Sequence, residues 1–253
     1  MSSKLLKDKE KGISSLTLRV IGIIATAACV VSEALPSKFL WISGLGWFAF
    51  AIFAFLLKEG FTRTSDRYLY GLRILVFALV AEIPHNLIYT GDIINTGSMN
   101  VMFTLFIGFL CMAGTEFIRK RYDNVVMNLI ALVVLTVVLT KFAIWLNCLY
   151  ARLGIPMIML FYEADKLTYR KLTQILFFVY ICVFVTSDFT ITPVIFGLQY
   201  PIPIQVFALP ALILIWFYNG KRGPNSLAFR RLMYCFYPAL LFLIMILMHF
   251  GVL

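Results

Sequence analysis

Glu82, His85 and Asn86 stand at i, i+3 and i+4 within an apolar run, so a helix there carries all three on one face. A carboxylate one turn from an imidazole is an arrangement suited to general acid–base chemistry. Pro84, between them, lacks an N–H and frees backbone groups one turn upstream. The next apolar run opens with Asn100 and Thr104 on one face. A later run carries Arg152 near its middle, with Asn147 before it and Gly154 and Pro156 after it. Ionisable groups inside a membrane span cost about 2.5–3.5 kcal/mol each on insertion scales, so each is a candidate for function. Structural readings stay open beside this one. Glu82 and Arg152 also suit a buried ion pair that fixes helix register. His85, a turn from the polar Gly91-Asp92, also suits an interface. Cys29 reads as a small packing residue, and His249 as interfacial. Gly44-Leu45-Gly46 with Ala49, Ala51 and Ala54 reads as close helix packing.

The elements that must hold these residues follow from charge and hydropathy. The chain is 62% apolar and 13% charged, with a mean hydropathy of +0.93, and such a composition cannot dress a water-soluble exterior. Nineteen of the 22 Lys and Arg residues fall in five stretches: Lys4 to Arg19, Lys58 to Arg73, Arg119 to Arg121, Lys166 to Lys171 and Lys221 to Arg231. Between them lie only Lys38, Lys141 and Arg152. Loops retained in the cytoplasm are rich in Lys and Arg. Basic clusters at alternate turns therefore predict an all-α, polytopic integral membrane bundle with a cytoplasmic N-terminus.

A hydrocarbon core of about 30 Å takes roughly 20 apolar helical residues, because a helix satisfies its own backbone hydrogen bonds. About nine transmembrane helices result. They are expected near Ser14–Leu35, Phe39–Leu57, Leu69–Thr90, Asn100–Ile118, Val125–Thr140, Phe142–Tyr162, Leu172–Ser187, Pro203–Tyr218 and Leu232–Gly251. The outer turns then carry only Glu33, Lys38, Asp92, Lys141 and Asp188. Residues 1–13 read as a cytoplasmic tail and 14–253 as one transmembrane domain. Phe189–Tyr200, broken by Pro193 and Gly197, reads as interfacial or re-entrant. The first span reads as a retained helix rather than a signal peptide, lacking a small-residue cleavage site. The net charge of +10 belongs to the cytoplasmic loops and predicts a lipid bilayer, not nucleic acid, as partner. Five cysteines without a CxxC pair predict neither a disulfide framework nor a metal site.

Several motifs resemble the TraX family. The run Gly46-Trp47-Phe48-Ala49-Phe50-Ala51-Ile52-Phe53-Ala54-Phe55-Leu56-Leu57-Lys58-Glu59-Gly60-Phe61 looks like one of its signatures. So do Leu72-Arg73-Ile74-Leu75 with Ala81-Glu82-Ile83-Pro84, and Asn100-Val101-Met102-Phe103-Thr104-Leu105. Tyr218-Asn219-Gly220-Lys221-Arg222-Gly223 and Phe236-Tyr237-Pro238 resemble the C-terminal part, in the same order. TraX proteins are polytopic and related to integral-membrane acyltransferases, and the best-known member acetylates the N-terminus of a conjugative pilin. The resemblance implies transfer of an acetyl group from acyl-CoA to an amine or hydroxyl of an exported protein, peptide or glycan, in a bacterial cytoplasmic membrane.

Four departures from the family pattern each remove an acid or base. Cys29 and Val30, about ten residues after the basic Arg19, stand where an Asp-His pair is usual. Asn86 replaces an Asp after Glu-Ile-Pro-X. Ala151-Arg152-Leu153-Gly154 replaces an Asp-Tyr-Gly-like element, and Leu240 replaces a His after Tyr237-Pro238. Two expectations follow. In one, the protein is a divergent acyltransferase whose base is His85, held by Glu82, with Asn100 polarising the acyl carbonyl and Arg152 within the site. Arg19, Lys221 and Arg222 would then hold the CoA phosphates, although the two loop residues also suit simple topology-setting charges. In the other, the fold is kept without the reaction, as a membrane partner or assembly scaffold. A small-solute transporter fits less well, since one intramembrane cation and one carboxylate make a poor pathway.

Overall fold

The computed structural model describes residues 12–33, 37–183, 190–192, 194–195, 198–199, 201–223 and 227–250. The chain is built almost wholly of helix. Nine α-helices occur among the described residues: α1 (Ser15–Glu33), α2 (Leu45–Arg63), α3 (Arg67–Tyr89), α4 (Val101–Arg121), α5 (Val125–Trp145), α6 (Ala151–Ala164), α7 (Arg170–Val183), α8 (Leu209–Trp216) and α9 (Leu227–His249). Short 3₁₀ segments at Ser37–Gly44 and Ile204–Ala208 lead into α2 and α8. Among the described residues, five stretches are long and apolar enough to cross a membrane: Ser15–Ser32, Trp41–Arg63, Arg67–Tyr89, Val101–Arg121 and Val125–Trp145. The chain is a membrane protein.

The residues group into two compact units, Met1–Leu56 with Thr168–Tyr234, and Leu57–Leu167 with Cys235–Leu253. In the first, α1 packs on the Ser37–Gly44 turn, and the Ile204–Ala208 turn packs on that same turn and on α7 and α8. A two-part β-hairpin precedes α8. Strands β1 (Thr190–Ile191) and β4 (Ile202–Pro203) pair antiparallel, and β2 (Val194–Ile195) with β3 (Leu198–Gln199) continues the same register. Pro201 lies in the interruption, where a residue without an N–H cannot extend a ladder. The stretch read as interfacial or re-entrant is thus hairpin wherever it is described.

In the second unit α4 is the centre, packed against α3, α5 and α6. It buries residues all around its circumference, from Phe103 to Thr115. α5, in contrast, buries only Ala143. Apolar on every side, α5 has the pattern of a helix solvated by hydrocarbon rather than water. Glycines let neighbours approach α4 closely. A Cβ on Gly108 would lie 2.3 Å from Ile158 Cδ1 of α6, and one on Gly71 of α3 would lie 2.4 Å from Phe109 Cε1. The Phe109 ring has little room to yield, with Phe61 at 5.6 Å and Tyr70 at 5.7 Å between centroids. Gly71→Ala is therefore expected to cost about 1–3 kcal/mol through overpacking. Thermal denaturation in detergent would show it as a lowered melting temperature, and an unchanged one would mean that α3 and α4 shift freely.

Two boundaries differ from the sequence reading. Lys141 was expected to end the fifth span, but α5 continues to Trp145 and the chain turns at Leu146–Tyr150. An exposed lysine near a helix end can extend its amine toward the interface, so it does not mark a break. The break is made by Asn147 and Tyr150, both left-handed with φ of 54° and 62°. Arg152 consequently lies exposed in the first turn of α6, not in mid-span. At the other boundary, α2 runs on to Arg63, so Lys58 belongs to a helix and is only 2% exposed. Most of the expected N-terminal tail lies outside the described residues.

Candidate functional site

The polar face of α3 meets the start of α4 at the end of the second unit away from its basic clusters. Asn100 caps α4, its side-chain oxygen accepting from Met102 N at 2.9 Å. Its amide nitrogen donates to Glu82 Oε2 at 2.6 Å and to Ala78 O at 2.9 Å, and its backbone N–H reaches Glu82 Oε2 at 3.1 Å. Glu82 is thus held by Asn100, among the described residues, and not by Arg152 or His85. The register-fixing pair proposed for Glu82 and Arg152 is replaced by a carboxylate–amide clasp across two helices. Since both amide hydrogens are engaged, Asn100 cannot also polarise an acyl carbonyl while this clasp holds. Asn100 is a positioning residue for Glu82.

His85 is 1% exposed and sits beneath the connection between α3 and α4. Its Nε2 lies 3.5 Å from Ser98 Oγ, and its ring lies 4.6 Å from that of Tyr89. Asn86, 2% exposed, donates from Nδ2 to Ile93 O at 3.3 Å. A second strap covers the same end. Leu149 N donates to Met99 O at 2.9 Å, Met99 N to Asn147 O at 3.0 Å, and Thr104 Oγ1 to Leu149 O at 2.5 Å. Thr104 thereby fastens the α5–α6 turn over the start of α4, which explains its place beside Asn100.

Three buried polar atoms in this cluster have no hydrogen-bond partner among the described residues: Glu82 Oε1, His85 Nδ1 and Asn86 Oδ1. All three come from one face of α3. Each unsatisfied buried polar group costs about 1–3 kcal/mol, so three on one helical face are a departure from ordinary core packing. Two are acceptors, and His85 Nδ1 accepts whenever Nε2 carries the proton.

Asn100→Ala should remove a helix cap and the clasp on Glu82 together. We expect a loss of about 2–3 kcal/mol, from about 1 for the cap and the rest for the stranded carboxylate. Asn100→Ser, which retains a capping hydroxyl, should recover only the smaller part. Chemical denaturation of the two variants in detergent would check this, and equal losses would refute the role given to Glu82.

The remaining site candidates lie in the first unit. Arg19 is half-buried on α1, four residues beyond Ser15, whose N–H donates to Lys221 O at 3.0 Å and whose hydroxyl donates to Arg222 O at 3.1 Å. Asn219 Nδ2 donates to Gly12 O at 2.8 Å. Gly220 and Gly223, with φ of 77° and 78°, bend the loop back on the start of α1, where a Cβ on Gly223 would lie 2.9 Å from Ser14 Oγ. Arg19, Lys221 and Arg222 are thus held in one neighbourhood, with both loop residues exposed. Cys29 and Val30 are buried on α1, and Cys29 Sγ donates to Ser43 O at 3.4 Å.

The profile described as TraX protein matches residues 17–248, nearly the whole chain. The chain belongs to the TraX family. No curated protein and no solved structure matches it.

In this TraX protein the sequence reading missed a second polar cluster, at the basic end of the second unit. Lys58 is buried in a salt bridge with Asp165 and lies 3.0 Å from Glu59. Arg119 Nη2 donates to both oxygens of Glu163, at 3.0 and 3.2 Å, and Tyr162 donates to Glu116 at 2.5 Å. Lys58 and Arg119 looked like cytoplasmic charges of the kind that orient a span. The available signal was the acids Glu116, Glu163 and Asp165 placed beside the basic residues at two other helix ends.

Proposed function

We propose that this TraX-family protein is a nine-span acyltransferase of the bacterial cytoplasmic membrane, with its N-terminus inside. It would carry an acetyl group from acyl-CoA to an amine or hydroxyl of an exported protein, peptide or glycan. Among the described residues, five helices long and apolar enough to span, followed by four more apolar helices in the expected order, support the count. The gathering of the ends of α2, α4 and α6 with the start of α3 at one basic end supports the orientation.

The observation that carries the reading is the trio of unpartnered atoms at Glu82, His85 and Asn86. An amine or hydroxyl entering there would find acceptors for its hydrogens at Glu82 Oε1 and Asn86 Oδ1. His85 Nδ1 would take the proton as the acceptor's nitrogen or oxygen bonds to the acyl carbon. Nε2 lies 3.5 Å from the Ser98 hydroxyl, and in the tautomer where Nε2 donates to it, Nδ1 is left as the acceptor. The acyl donor supplies a thioester whose C–S bond breaks as the new bond forms, and the proton removed from the acceptor balances the departing thiolate. Arg19, Lys221 and Arg222 fit a phosphate-bearing donor, being cations on a backbone pinned by Ser15 and shaped by two left-handed glycines.

A second reading, a membrane partner that has lost the reaction, draws on two observations. Cys29 and Val30 are packed without an acid or base in their places, and the Asn100 amide is fully engaged. Incubation of the purified protein and its source membranes with radiolabelled acetyl-CoA separates the two. Label transferred to a membrane or exported acceptor supports the enzyme. Absence of transfer, together with a stably co-purifying protein, supports the scaffold and overturns the first reading.

A further inference from the structure

Four cations at the basic end of the second unit share two carboxylates. Glu116 faces Arg67 Nη1 at 3.6 Å and Lys120 Nζ at 3.7 Å, and Glu163 faces Arg119 Nη2 at 3.0 Å and Lys166 Nζ at 3.1 Å. The two pairs adjoin through Tyr162, whose hydroxyl donates to Glu116 and whose ring lies 4.1 Å beneath Lys166 Nζ. The cluster therefore carries two positive charges more than negative.

Surplus charge alone is ordinary at the basic end of a membrane bundle, where lysines extend into water. Arg119 is not of that kind. Glu163 occupies one of its terminal nitrogens, while the other, Nη1, is buried with no partner among the described residues. A guanidinium donor stripped of water and left unpaired is costly, and its flat fork suits a tetrahedral oxyanion. Lys120 and Lys166 are 69% and 43% exposed in their side chains, so two mobile cations flank this fixed one.

We infer that Arg119, Lys120 and Lys166, with Arg67, bind a phosphate ester. A phosphate monoester such as the 3′-phosphate of coenzyme A brings oxygens for Arg119 Nη1 and both ammonium groups together, and its dianion equals the surplus charge, whereas a phosphodiester such as phosphatidylglycerol is a monoanion that neutralises half of it. Two molecules carry phosphate esters to such a face: coenzyme A, through its 3′-phosphate, and an anionic phospholipid. In the first case the site takes the place of Arg19, Lys221 and Arg222 as the donor's phosphate site, and so deepens the acyl-transfer reading and rests on it. In the second it stands without that reading.

Binding decides the matter without catalysis. The detergent-solubilised full chain is titrated calorimetrically with coenzyme A and with 3′-dephospho-coenzyme A. Retention of phosphatidylglycerol is followed in parallel by native mass spectrometry. The double variant Lys120→Gln/Lys166→Gln, which removes exposed cations and spares the Arg119–Glu163 bridge, should weaken binding about tenfold or more, or 1.4 kcal/mol. Arg119→Gln should weaken it further, and Lys141→Gln on α5 should leave it as it was. A loss confined to coenzyme A and absent for the dephospho form assigns the site to the acyl donor. A loss confined to phosphatidylglycerol assigns it to lipid. If the double variant and Arg119→Gln bind all three probes as the parent does, the site is refuted. That refutation is distinct from failure of the acyl-transfer reading, because acetyl transfer could persist in a protein without this site.

Discussion

His85→Ala should lower acetyl transfer from acetyl-CoA by at least about a hundredfold, the range for removing a positioned general base being about 10² to 10⁴. The side chain is buried, its Nδ1 is unpartnered, and the atoms nearest in sequence with the same lack are Glu82 Oε1 and Asn86 Oδ1. A histidine kept only for packing would lose little rate on truncation and would be replaced by Phe or Leu at small cost. A proton acceptor would not. His85→Gln is the informative companion, since an amide fills much of the imidazole's space and still hydrogen-bonds, yet has no basic nitrogen at neutral pH. We expect it to fold like the parent and to remain as inactive as His85→Ala. The measurement is single-turnover transfer of labelled acetyl by purified protein, beside a melting curve for each variant. Parental rates in a well-folded His85→Gln would remove the imidazole from the chemistry.

The same histidine shows what could be read before the structure. Spacing placed Glu82, His85 and Asn86 on one helical face, and hydropathy marked an all-helical chain, of which five helices among the described residues are long and apolar enough to span. Partner choice was a different matter. Glu82 is one turn from His85 in sequence, but its carboxylate is taken by Asn100, eighteen residues away, because a helix cap brings that amide over the α3 face. No periodicity encodes which of two neighbours wins a hydrogen bond. The position of Arg152 failed for a related reason. Lys141 looked like a boundary, while the true turn rests on left-handed backbone at Asn147 and Tyr150, and Tyr is a residue for which that conformation is uncommon.

Lys58 departs furthest from the role its sequence position suggests, and its removal should have the largest effect on stability. Its place after a long apolar run made it look like a charge halting a span at the membrane surface. Instead α2 continues past it and the side chain turns inward to Asp165, at the end of α6. Lys58→Ala should destabilise the second unit by about 3–5 kcal/mol, since it strands Asp165, which is 34% exposed, and leaves Glu59, 13% exposed, with Arg63 in place of two cations. The figure should fall near the lower end, because water reaches Asp165. The pair itself is not expected to be worth that much. Removing both charges with Lys58→Met and Asp165→Asn takes away the attraction and the desolvation cost together, so the double variant should regain most of the loss. Such a rescue would identify the ion pair as a device that fixes how α2 and α6 meet, more than as a source of stability. Additive losses in the double variant would mean instead that Lys58 is held chiefly by a partner other than Asp165.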